Sequence, residues 1–185
     1  MTPPARFHIR VLPRETAFHL EKRGSVVDQI ELVLARQGRT FSARMLWDDA
    51  PLTCESVAAM LSHEPIEGLT YHSIYSGHEF YVYCPSVDVP LENHIVYPKA
   101  GQLVYYYLPA RKYASMHVHK ERMGDVDTAE VAIWYGPGDL RIVTETGIRG
   151  NLFAEVLPEQ LEDFYAAGNV SLAEGREQLT IRAVS

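Results

Sequence analysis

The chain has 185 residues, a formal net charge of −7, 22% charged residues and 46% hydrophobic residues. That length supports one domain with a single sizeable core, plus an extension at most, and the composition is ordinary for a soluble globular protein. The densest basic stretch, Arg111-Lys112 through Lys120 and Arg122, is short and interrupted; nucleic acid is excluded as a partner, because phosphate neutralisation needs Lys and Arg gathered on one face. Cys54 and Cys84 are the two cysteines, and they read as reduced residues in a chain of this size. No stretch reaches the about 18 apolar residues of a membrane span. The opening MTPPARFHIR has no signal-peptide apolar run. A cytoplasmic protein without a membrane partner is expected.

Phe7–Leu12 alternates weakly as a strand, but Pro3, Pro4 and Pro13 mark residues 1–28 as an N-terminal extension. Ile30–Ala35 and Thr40–Leu46 flank a Gln37-Gly38-Arg39 turn and predict a hairpin. Pro51 opens a short helix, with Thr53 as its expected N-cap and Glu55 in its first turn. Val57, Met60 and Leu61 give that helix a buried stripe, and Pro65 and Gly68 end it.

Strand signals then dominate. Thr70–Tyr75 and Glu79–Cys84 flank a Ser76-Gly77-His78 turn. Ile95–Tyr97, Gln102–Leu108, Ala129–Tyr135, Leu140–Thr144 and Asn151–Val156 follow, separated by Gly and Pro. Many short strands with one early helix predict a mainly β fold, a closed or nearly closed β-barrel. Pro158 starts an added C-terminal helix with Leu161, Phe164 and Tyr165 as its apolar face and Gly168-Asn169 as its stop. Leu179–Val184 reads as a last strand.

The strand followed by Asp48-Asp49-Ala50-Pro51-x-Thr53 and a helix resembles the opening of a cyclophilin barrel. In cyclophilins a Phe-His-Arg segment follows, whose Arg serves prolyl isomerisation. Here Tyr71-His72-Ser73 keeps the aromatic and the His, and Ser73 stands in place of the Arg. A serine supplies no fixed cationic fork to a twisting amide, so prolyl isomerase activity is not expected. The chain more closely resembles a bacterial family of uncharacterised cyclophilin-like proteins, a domain of unknown function. The matching pieces are Ala50-Pro51-x-Thr53-Cys54-Glu55, His72-Ser73-x-x-Ser76-Gly77-His78-Glu79 and Glu92-Asn93. They continue with Tyr97-Pro98-x-x-Gly101, Tyr135-Gly136 and Gly147-x-x-Gly150-Asn151-x-Phe153. The resemblance implies a cyclophilin-like barrel over residues 29–157, with an insertion at about 111–128 and a C-terminal helix and tail over 158–185. It implies no reaction.

The candidate ligand-binding residues are His72, Ser73, Ser76, His78, Glu79, Asn93, Tyr97, Tyr135 and Asn151. His, Ser and carboxylate together orient a polar ligand or move a proton; the plainer reading is a hydrogen-bonded turn with a satisfied His. Asn93 and Asn151 are amide donors and acceptors for a ligand, or else satisfy loop backbone. His117-Val118-His119 with Glu121 has metal-ligand spacing, but the neighbouring Lys112, Lys120 and Arg122 favour a solvated loop or an oligomer contact. No metal, cofactor or catalytic residue is assigned. Tyr105, Tyr106 and Tyr107 cover both faces of one strand, with at least one in the core and one at a surface or interface, and beside Tyr81, Tyr83 and Trp134 they read as ordinary cross-strand packing. A homo-oligomer is expected from the insertion, the N-terminal arm and the added C-terminal helix, which suit subunit exchange or docking. Three functions remain: a binder of a small polar metabolite, an enzyme acting on a small amide or carboxylate metabolite, and a non-catalytic oligomeric assembly protein.

Overall fold

The structure, a computed structural model, describes residues 27–73, 76–110, 126–142 and 148–184. The strand expected at Phe7–Leu12, the His117–Glu121 stretch and nearly all of the expected extension and insertion lie outside the described residues.

The hairpin forms as its alternation predicts. β1 (Gln29–Leu34) buries Ile30, Leu32 and Leu34, and β2 (Arg39–Met45) buries Phe41, Ala43 and Met45. Gly38, at φ +62°, turns the chain between them, a conformation glycine adopts without a Cβ penalty. α1 (Pro51–His63) follows, with Cys54, Val57, Met60 and Leu61 on its buried side. Its start differs from the expectation. Ala50 is the N-cap and contributes no side-chain hydrogen bond. Thr53 lies inside the first turn, where Glu92 accepts from its backbone N–H at 2.5 Å and from its hydroxyl at 2.8 Å. A distant carboxylate therefore satisfies one of the helix donors that a cap would otherwise take, and Glu55 falls beyond the first turn.

The remaining strands are β3 (Ile66–Leu69), β4 (Tyr71–Ser73), β5 (Gly77–Cys84), β6 (His94–Ile95), β7 (Gln102–Leu108), β8 (Thr128–Gly138), β9 (Gly150–Val156) and β10 (Gln178–Ala183). Among the described residues they form one antiparallel sheet ordered β3-β10-β1-β2-β9-β7-β8-β5-β4, with β6 on β9. The two ends meet: β3 runs into β4 through Thr70, and Gly68 of β3 sits so close to Val82 of β5 that a Cβ there would lie 2.8 Å from its Cγ2. The result is a nearly closed barrel around one core, joined by a C-terminal helix α2 (Leu161–Glu174). No helix among the described residues is long and apolar enough to cross a membrane.

Some elements depart from the sequence-based expectation. β3 follows Pro65 directly, where only a break was expected. Leu140–Ile142 is a 3-10 turn rather than a strand; the Asp139 carboxylate accepts from Arg141 N–H at 3.0 Å and holds its guanidinium, which tightens the backbone there. Gly168 does not stop α2. The helix continues to Glu174 and ends at Gly175, at φ +101°. Gly168 is there for contact, since a Cβ would fall 2.1 Å from the Tyr135 ring. Tyr165 is 47% exposed, and the buried side of α2 is Phe164, Ala167, Gly168 and Ser171. In addition, β10 pairs with both β1 and β3, so the sheet continues through the segment after residue 157.

Candidate functional site

Strand pairing sorts the candidate residues onto two faces. β4 and β5 pair with His72 opposite Phe80 and Ser73 opposite Glu79; β5 and β8 pair with Phe80 opposite Ile133 and Glu79 opposite Trp134. Directly opposed residues share a face, and neighbours along a strand alternate. His72, Phe80 and Ile133 thus face the barrel interior. Ser73, Glu79 and Trp134 face outward.

Outward does not mean solvated here. Val104, Tyr106 and Leu108 of β7, Ala132 and Trp134 of β8, and Leu140 and Ile148 form a second buried cluster on that side. Glu79 is caught beneath it, only 4% exposed. Ser76 Oγ donates to Glu79 Oε2 at 2.7 Å, and the Ser73 and Ser76 hydroxyls lie 2.5 Å apart. Ser73 is half-buried, so the chain of hydroxyls leads from the protein surface to an enclosed carboxyl. Burial pushes the Glu79 carboxyl up to about 7, against the Ser76 hydrogen bond, which favours the charged form. Gly77 makes the turn: at φ +132° it lies against the Pro137 carbonyl, where a Cβ would come within 2.4 Å.

The same outer face holds a second enclosed carboxylate, Glu130, opposite Tyr83 on one side and Tyr106 on the other. Burial, with Glu79 adding repulsion, raises its carboxyl well above the usual range. Tyr106 Oη and Trp134 Nε1 are fully buried and have no hydrogen-bond partner; they lie near each other without reaching hydrogen-bond geometry. By strand pattern alone these aromatics read as ordinary packing, and Glu130 does not stand out. The available signal was a lone Glu within the apolar run Ala129–Tyr135, in phase with Trp134.

On the inner side, His72 packs edge-on to Tyr135 at 5.7 Å between ring centres, and His78 does the same at 5.5 Å. Tyr135 stacks on Phe80 and receives α2 at Gly168. Burial lowers the affinity of His72 for a proton, and its Nε2 is buried without a partner. Burial likewise pushes the Tyr135 phenol up to about 12.

Asn93 and Asn151 lie elsewhere. Asn151 Oδ1 accepts from Glu92 N–H at 3.0 Å, and its Nδ2 donates to Thr53 Oγ1 at 3.0 Å and the Pro90 carbonyl at 2.9 Å. Asn93, at φ 41°, donates to the Leu152 carbonyl at 2.9 Å. These bonds join α1, the 90–93 loop and β9 into a clamp. Tyr97 is 52% exposed, with Arg141 stacked 4.8 Å from its ring centre. The structure thus brings together Ser73, Ser76 and Glu79 on one face and His72, His78 and Tyr135 on the other. Asn93 and Asn151 belong to the clamp, and Tyr97 stands apart. Among the described residues no group of three or more His, Cys, Asp or Glu is placed to hold a metal ion. Both cysteines are free and buried.

No curated protein matches this chain. A solved structure of McbB in complex with tryptophan is similar in fold, with a TM-score of 0.57 and 18% identity over 84% of this chain. The match takes in 46% of the McbB chain, so this chain spans less than half the length of that protein. The family described as "Protein of unknown function (DUF3830)" matches residues 32–183, most of the chain. The protein belongs to the DUF3830 family.

Proposed function

We propose that this protein binds a small polar molecule at the outer-face site entered through Ser73 and Ser76 and floored by Glu79, on a barrel akin to that of cyclophilins. The observation that carries this reading is the Ser73–Ser76–Glu79 hydrogen-bond chain, which ends on an enclosed carboxyl. A buried carboxyl is unfavourable for folding unless it is well partnered, and a single hydroxyl partner leaves acceptor capacity for a ligand. Ser73 is engaged with Ser76 and offers no cationic group to a peptide bond, in keeping with a role other than prolyl isomerisation. The McbB structure with tryptophan supports the idea at the level of fold analogy only.

A second reading, an enzyme that moves a proton on a small amide or carboxylate metabolite, draws on the Glu79 carboxyl lying at about 7, where acid and base forms coexist at neutral pH. Both readings share one first test. A thermal-shift screen of small polar metabolites should yield a compound that raises the melting temperature of the wild-type protein and has no effect on Ser76→Ala. A ligand at a hundredfold excess over its Kd stabilises by about 2.7 kcal/mol. A complete screen without such a compound, or a hit equally effective on Ser76→Ala, contradicts the proposal.

A further inference from the structure

The outer face holds more than the serine chain explains. Glu79 and Glu130 lie on the same face of adjacent strands, with Ala132 on that face between Glu130 and Trp134. Tyr106 sits across from Glu130 on β7, and its ring lies against Gly150, where a Cβ would come 2.5 Å from Cε1. Two carboxyls, a phenol and an indole N–H are therefore gathered around a small alanine, all in the interior. The hydroxyl of Tyr106 and the N–H of Trp134 are both unpartnered. Buried polar groups without partners are rare in folded proteins and call for an explanation.

Resting on the small-molecule reading above, we infer that Glu79, Glu130, Tyr106 and Trp134 form the inner end of that site and receive a small organic amine that also carries an oxygen acceptor. The two carboxyls select a positive charge, since an unpaired buried carboxylate is costly and an ammonium group offsets that cost. The indole N–H only donates, so it needs an acceptor oxygen on the ligand, and the Tyr106 hydroxyl can serve either partner. Tyr81 and Tyr83, 5.7 Å apart edge to face, extend the aromatic surface beside the carboxyls, an environment that suits an organic cation. A divalent metal fits less well: calcium takes six to eight oxygens, and no third acidic residue among the described residues completes a metal set.

Glycinamide, which carries an ammonium group and an amide carbonyl, is the probe; acetamide lacks the ammonium group and propylamine lacks the carbonyl. Trp47→Phe leaves Trp134 as the sole tryptophan, so its emission reports on the site. In that background glycinamide should shift Trp134 emission and raise the melting temperature, with acetamide inert and propylamine weaker. Glu130→Gln should weaken glycinamide binding at least tenfold, and Tyr106→Phe, which deletes one oxygen, should weaken it too if Glu130→Gln proves poorly folded. Acetamide binding as well as glycinamide, no response to glycinamide, or full binding by both variants overturns the inference. If a neutral or anionic compound from the broader screen binds in a Ser76-dependent way while glycinamide does not, this inference fails and the small-molecule reading stands. If nothing binds, both fail.

Discussion

Ser76 Oγ donates a 2.7 Å hydrogen bond to Glu79 Oε2, three residues away across the Gly77 turn, and it is the partner the structure gives this buried carboxyl. The bond opposes the burial that raises Glu79 to about 7. Carbon-13 NMR titration of the Glu79 carboxyl should give a midpoint near 7 in the wild-type protein and a higher one in Ser76→Ala. Hydrogen bonds to charged groups contribute about 1.5–3 kcal/mol, and about 1.36 kcal/mol is one pKa unit, so the rise should be about one to two units. A fall, or no change, would show that the serine does not hold the ionised form.

Glu79 also makes stability depend on pH. The unfolded chain releases this proton near the usual carboxyl value of 4.5, whereas the folded protein keeps it to about 7. The folded state therefore binds more protons across that window, and stability falls as pH rises from 4.5 to 7. The loss from this group is on the order of 3 kcal/mol, from 1.36 kcal/mol per unit. Glu130, also raised, acts in the same direction. Denaturant unfolding at several pH values should show this decline in the wild-type protein and a flatter profile in Glu79→Gln. An unchanged slope in the variant would place the carboxyl in water.

Asn151 acts as a clamp. Replacing it with Ala removes the acceptor for Glu92 N–H and two donated bonds. An unsatisfied buried group costs about 1–3 kcal/mol, so Asn151→Ala should lower unfolding stability by about 2–3 kcal/mol. Affinity for a ligand of the Ser76–Glu79 site should stay the same. Lost affinity in a folded Asn151→Ala protein would tie the clamp to the site.

At Gly168 two effects compete. Ala is the better helix residue by about 1 kcal/mol, but its Cβ would fall 2.1 Å from the Tyr135 ring. Overpacking of a filled core typically costs 1–3 kcal/mol, and here the obstacle is a ring held between Phe80 and two histidines. Gly168→Ala should therefore lower the melting temperature. A higher one would show that Tyr135 moves aside freely.

Strand periodicity made much of the barrel legible: β7 and β9 lie where alternation and flanking glycines put them, and α1 buries the expected Val57, Met60 and Leu61. What pattern alone could not supply was long-range partnership. Thr53 looked like an N-cap because nothing local announces that Glu92 arrives from a loop to take its N–H. Gly168 looked like a helix stop because glycine reads as a breaker, while its actual partner, Tyr135, comes from β8. The site shows the same division. Ser73, Ser76 and Glu79 were visible as a local turn motif. Glu130, Tyr106 and Trp134 were not, because their convergence depends on the pairing of β5, β8 and β7 and on a second core covering the outer face.

Calorimetric titration of the strongest screen hit into wild-type protein and Ser76→Ala tests most directly whether the serine–carboxyl chain is a binding site. One ligand per chain is expected for the wild-type protein, with at least tenfold weaker binding for the variant. Equal affinity in the two proteins would contradict it.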